Sequence, residues 1–292
     1  MFMQLLSKGA DVAMLCFVIS SMFALGASLT IAQIIEPLRN FRLIALLLLA
    51  NFVAMPVIAL ILARVLQVDE QFAFGLLVLG CTAGAPFLPK LAERAGGDIA
   101  FAVGAMVLLM VVTVGYLPIV LPMLLHGVTV DPLKIAKSLI LLMLIPLAAA
   151  LALKARRADL AAKVRPVLAR ISSISLMLLL LLITAANINK VLQLFGSRAI
   201  LAALLFIASG FLVGWLLGGS GADTRKIVAL GTAQRNIAAA LVVAGESFSD
   251  PKVVVMVTVV AIASLITLMP LSGVLVNRNL EHPCSALAKP IE

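Results

Sequence analysis

Long apolar runs, interrupted at intervals by charge, proline and glycine, fill the chain and predict membrane-spanning helices along its length. Nine segments qualify, at 10–33, 41–64, 71–94, 98–124, 134–154, 168–187, 198–218, 225–245 and 251–276. Each matches the roughly 20 residues that a helix needs to cross a bilayer core. The apolar runs are continuous rather than alternating, which excludes a closed transmembrane barrel. The first run, about Val12 to Ala32, exceeds the roughly 7 to 15 apolar residues of a signal peptide and is read as a mature span.

Two of the nine segments carry residues that damage a helix. The third contains Gly80, Gly84, Pro86 and Pro89 within ten positions. Proline lacks the amide donor and clashes with the preceding turn, and glycine loosens the backbone, so Pro86 and Pro89 are expected to break that helix. The eighth contains Gly231 followed by Gln234, Arg235 and Asn236, and a second break is expected there, at Gly231 and the polar triplet. Pro86 and Gln234 lie 148 residues apart, about half the chain, and one further span follows each. The two segments cross in opposite directions. Matched interruptions of opposite direction are the mark of an inverted-repeat carrier whose broken helices meet near the midplane. The expected division is residues 1–128 as the first repeat (spans 1–4), 129–278 as the second (spans 5–9), and 279–292 as a cytoplasmic tail.

Composition supports an all-α polytopic membrane protein: 63% of residues are hydrophobic and 12% charged, against roughly 45 to 50% apolar in soluble domains. The formal net charge of +9 does not indicate nucleic-acid binding, because the basic residues are scattered between apolar spans. They report topology instead. With the N terminus outside, fourteen basic residues fall on the inner side, including Arg39, Arg42, Lys90, Arg94, Lys163, Arg165, Arg170, Arg278 and Lys289, and seven fall outside. The positive-inside rule therefore predicts an integral membrane protein with its N terminus outside and its C terminus in the cytoplasm. Cys16, Cys81 and Cys284 have neither disulfide nor metal-ligand spacing, and no cofactor is expected.

One basic residue remains, Arg235, in the middle of the apolar stretch from Ile227 to Gly245. A membrane-central arginine costs roughly 2.5 to 3.5 kcal/mol on insertion scales, so it requires a partner or a wet cavity. All thirteen acidic residues fall at span ends or in loops, with Glu93 and Asp98 the nearest to the first break. Two roles follow for Arg235. It binds the anionic group of a substrate with its planar fork, helped by Asn236 and half-helix amides, or it bonds to carbonyls unwound at the first break and pins the two helices. Gln234, Asn51, Thr82 and Gly84 join Arg235 and Asn236 as candidate substrate-binding residues. The stripe Gly210, Gly214 and Gly218 reads as helix packing. An enzyme is not indicated, since His126 and His282 lie at a span end and in the tail and no carboxylate sits in mid-span. A channel or a membrane receptor is the rival to a carrier.

Several motifs in order resemble the bile acid:sodium symporter family: Met22 to Thr30, Ala50 to Pro56, Leu79 to Gly84 with Leu91, Ala92 and Gly97, and Gln234 to Asn236 with Ala238 to Leu241. The resemblance covers nearly the whole chain and implies a secondary transporter of organic anions, here a bacterial-type member in the inner membrane. It implies a panel domain (spans one, five and six) beside a core domain (spans two to four and seven to nine) with two crossing broken helices, substrate binding between them. Sodium-coupled members carry a Ser-Asn pair where this chain has Leu88 and Pro89, hydroxyls where it has Ala102 and Met106, and a glutamate where it has Leu230 or Gly231. Asn51 and Gln234 are the sodium candidates left. The expected function is transport of a small organic anion across the lipid bilayer with weak or absent sodium coupling, Arg235 supplying a tethered positive charge; a sodium symporter with backbone ligands is the alternative. Neither substrate nor oligomeric state is specified.

Overall fold

The computed structural model describes residues 2–35, 40–125, 131–194 and 198–276. The expected tail at 279–292, with His126, His282, Cys284, Arg39, Arg278 and Lys289, lies outside the described residues. Among the described residues every regular element is helical. The order is α1 (Phe2–Gly26), α2 (Ile31–Ile35), α3 (Phe41–Val65), α4 (Glu70–Cys81), α5 (Leu88–Arg94), α6 (Ile99–Leu124) and α7 (Pro132–Arg156). There follow α8 (Ala158–Ala186), α9 (Ile188–Leu194), α10 (Ala199–Leu217), α11 (Ala222–Ala233), α12 (Ile237–Ser247) and α13 (Pro251–Val274).

Eight stretches are long and apolar enough to cross a membrane, with α11 and α12 counted together as one. The third expected span is absent from that set, because it is two pieces: α4 has 12 residues, α5 has 7, and residues 82–87 between them are not helical. Thr82 is extended at φ −102°, ψ 119°, and Gly84 takes φ +80°, a left-handed conformation that favours glycine. Pro86 lies within this break, but Pro89 does not. Pro89 falls in the first turn of α5, where a missing donor costs no helical bond, so it starts a helix rather than breaking one. Gly231 is likewise helical, two residues before the end of α11 at Ala233, and the second break is Gln234 to Asn236. A Cβ at Gly231 would stand 2.9 Å from Cδ2 of Leu88, so this glycine admits a side chain from the other broken helix.

Aspartates start four of the helices. Asp69, Asp98, Asp131 and Asp250 accept from backbone amides of the first turns of α4, α6, α7 and α13, which is why carboxylates collect at span ends. At its start α8 differs from expectation: the apolar run predicts the sixth span at 168–187, yet the helix begins at Ala158. Lys163, Arg165 and Pro166 read as loop punctuation, but a helix continues past the hydrocarbon wherever its polar end is wetted or packed.

The helices form two groups. α1 lies along α8 and α7, and α7 touches α8. A Cβ at Gly26 would come within 2.4 Å of the Leu147 carbonyl oxygen, so glycine allows α1 to meet α7 closely. The other group packs α3, α4, α6, α10, α11 and α13 around the two breaks. There Gly210, Gly214 and Gly218 bring α10 onto the backbone of α11; added Cβ atoms would lie 3.0 Å or less from Ala233, Val228 and Arg225 backbone atoms.

Two helices contain a single π turn, Ala50–Ala54 in α3 and Ile140–Leu144 in α7, each just ahead of a proline, Pro56 or Pro146. The proline ring cannot pack against an ordinary preceding turn, and one extra residue relieves the clash. In α3 the Met55 amide donates to the Ala50 carbonyl, so the Asn51 carbonyl receives neither that amide nor one from Pro56. Phe52 loses its usual donor to the same proline. Tyr116 Oη takes the Phe52 oxygen at 2.6 Å.

Candidate functional site

The two breaks meet, and Arg235 is the joint. Its residue is fully buried, at 0% exposure, and each guanidinium nitrogen is bonded. Nε donates to the Leu79 carbonyl at 2.9 Å, and Nη2 donates to the Gly80 carbonyl at 2.8 Å and the Asn51 carbonyl at 3.4 Å. Nη1 donates to Asn51 Oδ1 at 2.8 Å and to the Thr232 carbonyl at 3.2 Å. Five acceptors meet the five donors of the fork. Leu79 and Gly80 belong to the end of α4; because the chain becomes extended at Thr82, the Gly80 carbonyl has no helical partner and the Leu79 carbonyl has only the Thr82 amide at 3.1 Å. A helix C-terminus also carries partial negative charge, so the cation lies where the dipole favours it.

Asn236 completes the crossing. Its Nδ2 donates to the carbonyls of Ala83 (3.3 Å) and Gly84 (3.1 Å), while its Oδ1 accepts the Ala239 amide at 3.1 Å and caps α12. Asn51 Nδ2 donates to the Leu47 carbonyl at 3.0 Å and to Thr232 Oγ1 at 3.2 Å. Thr82 Oγ1 donates to the Leu79 carbonyl at 3.1 Å. Thr113 of α6 acts on the first break as a strand partner would: its hydroxyl donates to the Ala83 carbonyl and accepts the Ala83 amide. Gln234 is the exception. It is 4% exposed, and its Oε1 is buried with no donor.

A cavity of about 940 Å³ lies between the α1–α8 pair and the crossing. Its walls come from the second half of α1, the middle of α8, the start of α6, the middle of α13, and both breaks. It extends from Gln234, Ile237 and Ala238 at its base to Gln33, Lys90, Glu93 and Arg165 at the end where α5 stops and α8 begins. Of the six residues expected to bind substrate, Gln234 and Arg235 line this cavity, whereas Asn51, Thr82, Gly84 and Asn236 do not. Those four are buried behind the wall, with their polar groups bonded within the crossing. Arg235 reaches the wall, but its guanidinium nitrogens are all directed at α3, α4 and its own turn. Glu93 and Asp98, considered as partners for it, are engaged elsewhere: Glu93 pairs with Lys90 at 2.8 Å and Asp98 caps α6.

Sequence reasoning missed Thr113, Tyr116 and Thr232, each of which satisfies a group at the crossing from a position unremarkable in its own helix. It also missed Arg165 as a cavity residue, counting it in an inner loop. The signal available was its spacing: Arg165, Ala169, Ser172, Leu176 and Leu180 all line the cavity at the helical period.

The described residues contain no cluster of three or more His, Cys, Asp or Glu side chains placed to hold a metal ion. A probable chloroplastic sodium/metabolite cotransporter of Arabidopsis thaliana is 24% identical over 258 residues, covering 87% of this chain and 64% of that protein. The chain thus spans somewhat less than two thirds of the length of that relative. The profile of the sodium bile acid symporter family matches residues 15–194, from α1 to α9, which includes the first break and both long walls of the cavity but not the segment carrying Arg235. On a match over more than half of its length, the chain belongs to the sodium bile acid symporter family.

Proposed function

We propose that this protein is a secondary transporter that moves a small organic anion across the membrane by alternating access, with Arg235 holding the helix crossing. The observation that carries this reading is the cavity between a three-helix group and a pair of broken helices whose ends meet at its base. The α1, α7 and α8 group serves as the panel and the rest as the core, the two halves of the core being inverted copies within residues 1–128 and 129–278. An anion at the base meets the start of α12. There the Ile237 amide donates to the Arg235 carbonyl and the Ala239 amide to Asn236, leaving the Ala238 amide at the wall without a protein acceptor among the described residues. A helix N-terminus with a free amide favours negative charge.

The crossing does not suit sodium. The carbonyl oxygens of Leu79, Gly80, Ala83 and Gly84 already accept from Arg235 and Asn236. A cation brought to about 4 Å from the guanidinium meets a repulsion of roughly 4 kcal/mol at an effective dielectric of about 20. Gln234 Oε1 is the one acceptor there without a donor, and a single oxygen does not make a cation site. The tethered guanidinium takes the place of a bound ion, and transport proceeds by exchange or facilitated movement.

The cavity opens toward the side reached by α5 and the start of α8, which the positive-inside rule assigns to the cytoplasm. Polar bonds join the two groups on the opposite side. Ser138 of α7 donates to the Glu246 carboxylate of α12, Lys134 Nζ donates to the Glu246 carbonyl at 3.2 Å, and Lys190 of α9 pairs with Asp250 at 3.5 Å. Alternating access requires these contacts to open. The deciding experiment is uptake of labelled cholate and a panel of smaller carboxylates into proteoliposomes, with and without a sodium gradient. Saturable uptake and counterflow without sodium are expected; strictly sodium-dependent uptake overturns the tethered-charge reading, and non-saturating flux overturns the carrier.

A further inference from the structure

We infer that Arg165, not Arg235, is the residue by which the cavity selects anions; the inference rests on the anion-transport reading above. Four ionisable side chains line the cavity: Lys90, Glu93, Arg165 and Arg235. Arg235 has every donor directed away from the cavity into five protein oxygens. Lys90 is bonded to Glu93, and the two charges cancel at the wall. Arg165 is exposed, lines the cavity and has no ion pair and no protein hydrogen-bond partner among the described residues, so its donors are free for a ligand. Lys163 and Arg170, on the same helix, are not in the wall.

The hydroxyls nearby do not substitute for it. Ser21, Ser28 and Ser173 donate to the carbonyls of Val18 (2.9 Å), Leu25 (2.6 Å) and Ala169 (2.9 Å) of their own helices, and Ser172, the fourth wall serine, offers a neutral hydroxyl that carries no charge. Along α8 the wall passes from Arg165 through Ala169 and Ser172 to Leu176 and Leu180. A ligand with one anionic end and an apolar body matches this gradient as it enters, its charge held at the mouth before it reaches the start of α12 at the base. An arginine fork also binds a carboxylate or sulfonate bidentately, which gives direction as well as attraction.

The test needs no knowledge of the substrate. In full-length protein with Cys16→Ser and Cys284→Ser, and Cys81 retained because it is buried, Ala169→Cys places a thiol one helical turn from Arg165. The rates of its modification by anionic sulfonatoethyl and cationic trimethylammonioethyl methanethiosulfonate are compared in proteoliposomes. The anionic reagent is expected to be favoured, and Arg165→Gln to lower the anion-to-cation rate ratio about fivefold, as a unit charge roughly one turn away in wet, salt-screened surroundings dictates. Arg165→Lys keeps the ratio and Arg165→Glu inverts it. A ratio unchanged in both Arg165→Gln and Arg165→Glu overturns the assignment. Cholate uptake by the same preparations reports separately on the transport reading, so loss of one conclusion is not mistaken for loss of the other.

Discussion

Arg235 and Asn51, 184 positions apart in the chain, are joined by a 2.8 Å hydrogen bond from guanidinium Nη1 to amide Oδ1. The bond forms because a π turn ahead of Pro56 sits where α3 meets the second break. It leaves the Asn51 carbonyl without a helical donor, so that side chain and backbone of one residue both face the cation.

Arg235 is therefore expected to matter first for stability. Arg235→Ala removes five buried hydrogen bonds and leaves every acceptor but the Leu79 carbonyl, which keeps Thr82, without a donor among the described residues, a loss of about 3 to 5 kcal/mol for breaking a buried charged network. Arg235→Lys recovers only part of it, since an ammonium cannot reach α3 and α4 in the same geometry. Thermal unfolding of the detergent-solubilised variants, followed by size exclusion, measures this. Unchanged melting with sharply weakened substrate affinity would assign the guanidinium to substrate instead.

Asn51 and Arg235 should be energetically coupled. Asn51→Ala removes an acceptor of the fork and the donor to Thr232, and a loss of about 2 kcal/mol is expected. Adding Arg235→Met to Asn51→Ala should cost much less than the sum of the single changes, because each removes the same bond. A double-mutant cycle on denaturation midpoints checks this, and additivity within about 0.3 kcal/mol would show that the contact is energetically idle.

Two glycines with positive φ make an internal control. A Cβ at Gly84 would lie 2.3 Å from the Met110 amide nitrogen and 2.6 Å from the Met106 carbonyl oxygen, whereas one at Gly96 meets nothing within 4 Å. Gly96→Ala is expected to cost about 1 kcal/mol from backbone strain alone. Gly84→Ala adds a backbone collision at the crossing and should cost about 3 kcal/mol or more, read as lost folded yield or lower melting temperature. Equal effects would mean that α6 does not press on the first break as described.

The contact between Ser138 and Glu246 joins α7 to α12, two helices that the alternating-access proposal requires to part. Cysteines at both positions, bridged by a short bifunctional thiol reagent, should arrest uptake, and a cleavable bridge should restore it on reduction. Full transport by the bridged protein would show that α7 and α12 do not part during the cycle.

Sequence periodicity and punctuation were sufficient for the class, an all-helical protein with spans long and apolar enough to cross a membrane. Apolar length forces helices in a membrane because backbone groups must be satisfied within the segment, and that rule acts locally on residues such as those of α6 and α10. The first break was legible for the same reason, since Gly84 and Pro86 disrupt a helix by their own covalent chemistry, whereas the second showed only as the polar triplet Gln234 to Asn236. Their limits were less so. Pro89 and Gly231 carry the chemistry of breakers, yet one starts a helix and the other sits inside one, because position within a turn decides what a missing donor or Cβ costs.

The site itself depended on what came into contact. The cost of burying Arg235 was readable from its neighbours in sequence, so its need for partners was determined there. Which partners it found was not, since Leu79, Gly80 and Asn51 contribute mainly carbonyl oxygens that every residue possesses and that α4 and α3 expose only through an early helix end and a π turn. Arg165 shows the converse: the sequence presented an ordinary basic residue near a membrane surface, and only the packing of α8 against α1 placed it in the cavity wall. Helices and breaks follow from local chemistry, whereas the assignment of charges to partners follows from tertiary contacts between segments far apart in the chain.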